Sequence, residues 1–243
     1  LGQRTAEMHR ALANAVDAPA FTPEPIVAHY RRGRVESFRN LVRSSFLQLR
    51  RQRARFPETL QPEIDRVLSS EGTLVARVRA LLDRRVAASR IRVHGDYHLG
   101  QVLFTGKDFV ILDFEGEPAR SLGERRYKRT AMRDLAGMLR SFEYAVAYAL
   151  RHGPGRAEDL AALRPWGRLW SRWVSAAFLQ GYLAAAEGAV FLPDAEGFHA
   201  FLEYNLLDKT VYELRYELNN RPDWVEIPLD GILEKLGEGV GVA

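Results

Sequence analysis

The sequence predicts a mainly α protein with one small β-hairpin insert, an α+β arrangement. Three observations carry that reading. Apolar residues recur at three- and four-residue steps through most of the chain, the signature of helices with one buried face. The period changes only once, between residues 91 and 112, where short β-branched and aromatic runs surround Gly106. The chain has 243 residues, 47% of them apolar and 27% charged, enough to bury a core and too apolar to stay disordered.

The elements follow in order. Ala6, Leu12, Ala13 and Val16 mark a first helix over residues 3–16, ended by Pro19, Pro23 and Pro25. A loop is expected next. Phe38, Leu41, Val42, Ser45, Phe46 and Leu49 then line a helix over 35–55, and another begins after Pro57 and runs through Ile64 and Leu68 to Gly72. Leu74, Val78, Leu81 and Leu82 form the stripe of a helix over 73–88. "IRVHGD", residues 91–96, reads as a short strand running into a polar loop. Strands at 101–104 and 109–112 make the hairpin. Helical patterns return at 131–151 and 157–187, separated by "HGPG", and at 194–220, stopped by "NNRPDW". Residues 1–235 form one body and 236–243, with "GEGVG", a flexible tail.

Composition excludes several classes of function. There is no cysteine, so disulfides and thiolate metal sites are ruled out, and the expected location is the cytoplasm. No apolar run approaches the roughly 20 residues of a membrane span, so no membrane partner is expected. The 35 basic residues nearly balance 31 acidic ones. "RRGR" (31–34) and "LRRQRARF" (49–56) lack aromatic interleaving and read as solvated helix faces, not a nucleic-acid site.

Chemistry concentrates in "HGDYHLGQVL", residues 94–103. Two histidines four apart are a weak metal signal here, because Gly95 and the preceding strand argue against a helical zinc dyad. Taken alone, the stretch is a polar turn. Seventeen residues after Asp96, however, "ILDFEGEP" places Asp113 at the end of a strand, so carboxylates flank both ends of one hairpin. Phosphoryl transfer uses such a pair: one aspartate accepts the proton of the attacking hydroxyl, and another, with a nearby amide, holds Mg²⁺ against nucleotide phosphates. Gln101 stands five residues after Asp96, the base-to-amide spacing of the kinase template, with Gln in place of Asn.

The H-G-D-x-H form resembles the aminoglycoside phosphotransferase branch of the protein-kinase-like superfamily. Together "HGDYHLGQVL", "LDFEGEP", "RDLAGMLRSFEYA" and "YELRYELNNRPDW" are similar to bacterial maltokinases, including those fused to trehalose synthase. The resemblance covers most of residues 1–235 and corresponds to that family's C-terminal lobe. It implies a catalytic loop at 94–101 with Asp96 as base, a metal loop at 113–117, and Mg²⁺ held by Asp113 and Gln101 with Glu115 as a further ligand. His94, His98 and Asp134 would support the loop. Asp134 stands near a helix N-terminus, where capping alone would also explain a carboxylate.

Helix 194–220 would be the acceptor site. Leu207, Val211, Leu214 and Leu218 form its buried stripe, leaving Lys209, Tyr212, Arg215 and Tyr216 as sugar contacts. The implied reaction is ATP-dependent phosphorylation of maltose to maltose 1-phosphate. A kinase of an aminoglycoside, choline or homoserine, and a non-catalytic saccharide-binding lobe of a trehalose synthase fusion, are the alternatives. The ATP-binding lobe of such a kinase supplies a lysine, and none of the four lysines here (107, 128, 209 and 235) precedes Asp96. A chain opening on Leu1 in mid-helix is expected to be a piece of a longer protein, its N-terminal lobe absent and the isolated lobe poorly active.

Overall fold

A computed structural model describes residues 1–14, 18–153 and 159–237. In chain order the elements are α1 (Gly2–Ala13), β1 (Glu24–Pro25), α2 (Ala28–Gln52), α3 (Gln61–Ser69), α4 (Glu71–Asp83), β2 (Ser89–Arg90), β3 (Val102–Phe104), β4 (Phe109–Ile111), α5 (Leu122–Arg125), α6 (Met132–His152), α7 (Leu160–Ala186), α8 (Ala195–Asn220) and α9 (Glu226–Lys235). The chain divides into two compact units. One comprises Leu1–Ile26 with Val86–Phe198, the other Val27–Arg85 with His199–Ala243.

In the first unit α7 packs against both α1 and α6. The core between them is built from Ala6, Leu135, Ala136, Met138, Phe142, Phe178 and Tyr182, all buried. The hairpin β3–β4 is antiparallel in the register Val102↔Ile111, Leu103↔Val110 and Phe104↔Phe109. Arg4 of α1 anchors its turn through a bidentate contact, with Nε 2.8 Å from Asp108 Oδ1 and Nη2 2.6 Å from Oδ2. A second antiparallel pair, β1–β2, was not expected from the sequence. It is held by charge as well as by its ladder, since Glu24 pairs with Arg90 and accepts from Lys128 Nζ at 2.9 Å.

In the second unit α2 packs on α4 and α3 on α9. Phe38, Val42, Phe46 and Leu49 of α2 and Leu74, Val78 and Leu82 of α4 are buried, as the apolar spacing requires. The stripe Leu207, Val211, Leu214 and Leu218 of α8 is also buried.

Three expectations need correction. Helix α2 starts at Ala28 and not at residue 35, so "RRGR" lies within it, and Arg31 is no solvated residue. Its guanidinium is buried and donates to the carbonyls of Leu82 (3.0 Å), Asp83 (2.6 Å) and Arg84, satisfying the open C-terminal end of α4. Arginine periodicity alone does not distinguish such a capping residue from a surface one. The strand expected over Ile91–Asp96 is confined to β2 and a single bridge, Ile91↔Arg129. The amides of His94 and Gly95 donate to a carboxylate instead of to a neighbouring strand. The helix break expected at Gly72 falls at Ser70, and Gly72 lies inside α4. Val16 of the first predicted helix, Pro154 and Gly155 of "HGPG" and residues 238–243 of the predicted tail lie outside the described residues.

Candidate active site

The loop after β2 is built on one buried carboxylate. Asp134, in the first turn of α6, accepts the amide of His94 at 2.8 Å through Oδ2 and the amide of Gly95 at 2.9 Å through Oδ1. Gly95 has φ +89°, a conformation that turns the chain sharply before Asp96 and is strained for any side chain. Asp134 is itself buried and meets a third donor, His9 Nε2, at 3.0 Å. Burial is the strongest influence on its ionisation and opposes it. The hydrogen bond from His9, the electrostatic influence of the His9 and His94 rings and the Gly95 amide together outweigh burial and hold the carboxyl below its ordinary range.

Two residues of α1 fix the same loop from the other side. His9 Nδ1 lies 2.9 Å from the Tyr182 hydroxyl, whose own ionisation burial suppresses, so the phenol keeps its proton and donates it. Thr5 Oγ1 lies 2.8 Å from the hydroxyl of Tyr97. Burial pushes the Tyr97 phenol up to about 12, with the Asp134 charge adding to it and the Thr5 hydrogen bond opposing. Gly137 lets α6 approach: a Cβ there would stand 2.4 Å from the Tyr97 carbonyl oxygen.

His94 joins the loop to the hairpin. Its Nε2 faces the Leu112 carbonyl at 2.7 Å and must therefore carry the proton, leaving Nδ1 to face the Asp96 amide at 3.4 Å. The imidazole contacts the rings of Tyr97 (5.2 Å) and Phe114 (5.1 Å). His98 is the N-cap of a 3₁₀ turn over Leu99–Gln101 and accepts the Gly100 amide at 3.0 Å; its Nε2 stands 3.9 Å from Asp96 Oδ2.

That 3₁₀ turn aims Gln101 at the end of the hairpin. Gln101 Nε2 lies 2.9 Å from Asp113 Oδ2, and the Leu112 amide donates to the Gln101 carbonyl at 2.9 Å. Asp113 is the one non-glycine residue at positive φ (60°) among the described residues. Asp113 and Glu115 are exposed, Asp96 and Gln101 half-buried. The loop and hairpin thus bring Gln101 and Asp113 together, with Asp96 on the same clamped loop and Glu115 two residues beyond Asp113.

The donor set suits Mg²⁺. A carboxylate and an adjacent amide are hard oxygen ligands, and Mg²⁺ typically takes one or two protein carboxylates plus substrate phosphates, not a protein cage.

The predicted acceptor residues lie on α8 in the second unit, while the loop belongs to the first. Lys209 Nζ sits 5.3 Å and Arg215 Cζ 5.7 Å from the Tyr212 ring centre, so two cations approach one aromatic ring. Tyr216 is exposed, with Arg221 Cζ 5.4 Å from its ring centre. His9, Thr5 and Tyr182 were not anticipated from sequence. A polar His9 among the apolar positions of "AEMHRALA" was the available signal.

The model of the phosphotransferase enzyme family matches residues 1–117, a segment holding His9, Asp96, Gln101 and Asp113. A glucosamine kinase of Streptacidiphilus jiangxiensis is 27% identical over 233 residues, which is 94% of this chain and 46% of that protein. One from Mycolicibacterium smegmatis is 28% identical over 148 residues, 60% of this chain and 34% of that protein. Among solved structures, a glucosamine kinase in crystal form B superposes with a TM-score of 0.77 at 23% identity, covering 98% of this chain and 51% of that one. A complex with glucosamine, ADP and inorganic phosphate gives 0.76 at 23% identity, covering 98% and 53%. The chain spans about half the length of these relatives or less. It shares the fold of the matched part of the glucosamine kinases, and its first 117 residues match the phosphotransferase enzyme family.

Proposed function

We propose that this chain is the C-terminal, catalytic-loop lobe of an ATP-dependent sugar kinase whose acceptor is maltose and whose product is maltose 1-phosphate. The observation that carries the reading is the contact of Gln101 with Asp113 at the foot of a loop whose amides are clamped by Asp134. Asp96 accepts the proton of the anomeric hydroxyl as its oxygen bonds to the γ-phosphorus, and the bond from that phosphorus to the bridging oxygen breaks to release ADP. Asp113 and Gln101, with Glu115 as a further ligand, hold Mg²⁺, which supplies charge neutralisation for the phosphates. His94, His98 and Asp134 keep the loop in place. Lys209, Tyr212, Arg215 and Tyr216 are the proposed saccharide contacts.

The partner lobe, with its nucleotide-covering loop and lysine, belongs to the rest of a longer polypeptide, in which trehalose synthase is a candidate fusion partner. Alone, the chain is expected to bind Mg²⁺–nucleotide weakly and turn over slowly. The similarity to glucosamine kinases favours a second reading, in which glucosamine replaces maltose as acceptor on the same machinery.

One experiment separates these. ADP release by the full-length parent is measured with maltose, glucosamine, an aminoglycoside and choline. Turnover with maltose supports the first reading, and turnover with glucosamine alone moves the acceptor to the second. In either case Asp96→Asn should lower kcat by about 10²–10⁴-fold. Retained turnover in that variant, with the protein folded, removes Asp96 from the role of base.

A further inference from the structure

Helix α1 crosses α7 at glycine. A Cβ on Gly2 would collide with the Phe178 carbonyl oxygen and stand 2.8 Å from the Tyr182 amide nitrogen, and one on Gly181 would meet the Gln3 amide nitrogen at 3.6 Å. His9 lies about two turns beyond Gly2 on the same face of α1, so this close crossing delivers its imidazole to the Tyr182 hydroxyl at 2.9 Å. The ring is fully buried and stands edge-on to Tyr182 and Phe191, with centroids 5.6 and 5.8 Å away. Its other nitrogen, Nε2, reaches Asp134 Oδ2 at 3.0 Å. His9 thus bridges α7 to the carboxylate that holds the loop.

The hydrogen bonds allow this bridge one protonation state. A bare Nε2 would turn its lone pair toward a carboxylate oxygen, so Nε2 carries a proton. A proton on Nδ1 as well would oblige the Tyr182 hydroxyl to accept there, leaving the phenol's own proton unbonded. Tyr182 is fully buried and makes no other hydrogen bond among the described residues, and a buried hydroxyl without a partner is costly. The neutral Nε2–H form satisfies every group at once: the phenol donates to Nδ1, and Nε2–H donates to Asp134.

The consequence reaches the loop. Asp134 Oδ2 receives both His9 Nε2–H and the His94 amide, while Oδ1 receives the Gly95 amide. With donors on both oxygens the carboxylate cannot rotate without breaking a bond, and the two amides it holds lie immediately before Asp96. We propose that Tyr182 and His9 are positioning residues of the catalytic loop: the Tyr182 hydroxyl selects the neutral Nε2–H form of His9, and that form orients Asp134 toward the His94 and Gly95 amides. The bridge stands on geometry alone, and its bearing on turnover rests on the function proposed for the loop. Both side chains are fully buried and act through Asp134.

The test uses the full-length parent with nitrogen-15 in its histidine rings, His9 being identified by the signals lost in His9→Gln. In the unaltered protein His9 should show one bare ring nitrogen and one protonated, with the proton on Nε2. Tyr182→Phe removes only the hydroxyl. It should move the Nδ1 signal and lower kcat by about tenfold with both KM values unchanged, inside the roughly 10²-fold that a misplacement of about 1 Å costs. His9→Gln, whose amide carries a donor and an acceptor and takes no charge, should regain most of the kcat lost in His9→Ala. An imidazolium signal at His9, parental kcat in Tyr182→Phe, or a folded His9→Gln no better than His9→Ala overturns the inference; if Tyr182→Phe does not fold, the spectrum of the unaltered protein and the glutamine rescue decide. Asp96→Asn separates this from the proposed function. Turnover retained there removes the function and leaves the His9 spectrum as it is, whereas parental kcat in Tyr182→Phe beside an inactive Asp96→Asn removes the positioning role alone.

Discussion

The candidate catalytic loop has a buried side and an open side, and they are built on opposite principles. On the buried side Asp134, His9 and Tyr182 lie in the core, each joined to the next by hydrogen bonds of 3.0 Å or less. On the open side Asp96, Gln101, Asp113 and Glu115 reach solvent, and Gln101 Nε2 donates to Asp113 Oδ2. A buried charge is tolerated only when its lone pairs are filled, so the inner carboxylate is surrounded by donors. A carboxylate that must meet a substrate hydroxyl or a cation needs access to solvent, and the outer ones reach it. In the proposed function, the inner side supplies position and the outer side reactivity.

The largest loss of stability should come from breaking the buried side at its centre. Asp134→Ala leaves two loop amides and His9 without their acceptor, and denaturant unfolding should show a loss of about 3–5 kcal/mol. The same carboxylate sets an acid limit. Its folded pKa lies below the unfolded value of 3.8, so its contribution is complete above that value and is lost as pH falls through the folded pKa. Stability of Asp134→Asn should therefore depend less on pH in the acid range than that of the unaltered chain. Equal slopes for the two proteins would show that Asp134 is not the group responsible.

Smaller effects are expected one contact outward. His9→Ala leaves Asp134 Oδ2 with the His94 amide and the Tyr182 hydroxyl without its acceptor, a loss of about 1–3 kcal/mol by thermal or denaturant unfolding. Gly137→Ala keeps every hydrogen bond but drives a methyl against the Tyr97 carbonyl, and overpacking of this kind costs about 1–3 kcal/mol. The Gly137 substitution has a second readout. Gly137→Ala displaces the loop itself and should lower kcat of the full-length parent more than its stability loss alone would imply. A variant with lowered stability and unchanged kcat would show that this approach of α6 is packing only.

The open side was legible in the sequence because its residues are close together in the chain. Asp96, Gln101 and Asp113 fall within eighteen positions, and the change of period around Gly106 marks the hairpin that folds them together. The helices were legible for the same local reason, and α6 and α8 differ from their expected limits by about one residue. On the buried side the sequence pointed to Asp134 as a support of the loop but not to its partners. His9 and Tyr182 join it across separations of 125 and 173 residues along the two contacts, and no local pattern reports a pairing across that distance. Arg31 fails for a related reason: its row reads as solvated until α4 delivers three carbonyls to it. The strand expected through His94 was lost to the same carboxylate that organises the loop.

The smallest effect on stability, and the sharpest test of the contrast, belongs to Asp113. It holds φ 60°, a left-handed conformation that costs most side chains roughly 1–2 kcal/mol and glycine almost nothing. Aspartate tolerates this conformation better than most residues, so relief should be partial. Asp113→Gly removes the carboxylate and the strain together but loses the hydrogen bond from Gln101, an exposed contact. Unfolding measurements should therefore show stability unchanged or higher by up to about 1 kcal/mol. Mg²⁺-dependent turnover of the full-length parent should fall by orders of magnitude, in line with the loss of a metal ligand. Strain retained at a residue whose removal does not weaken the fold is what a reactive position looks like. A loss of stability comparable to that of His9→Ala would instead place Asp113 on the bracing side, and the division between position and reactivity would have to be redrawn around Asp96 alone.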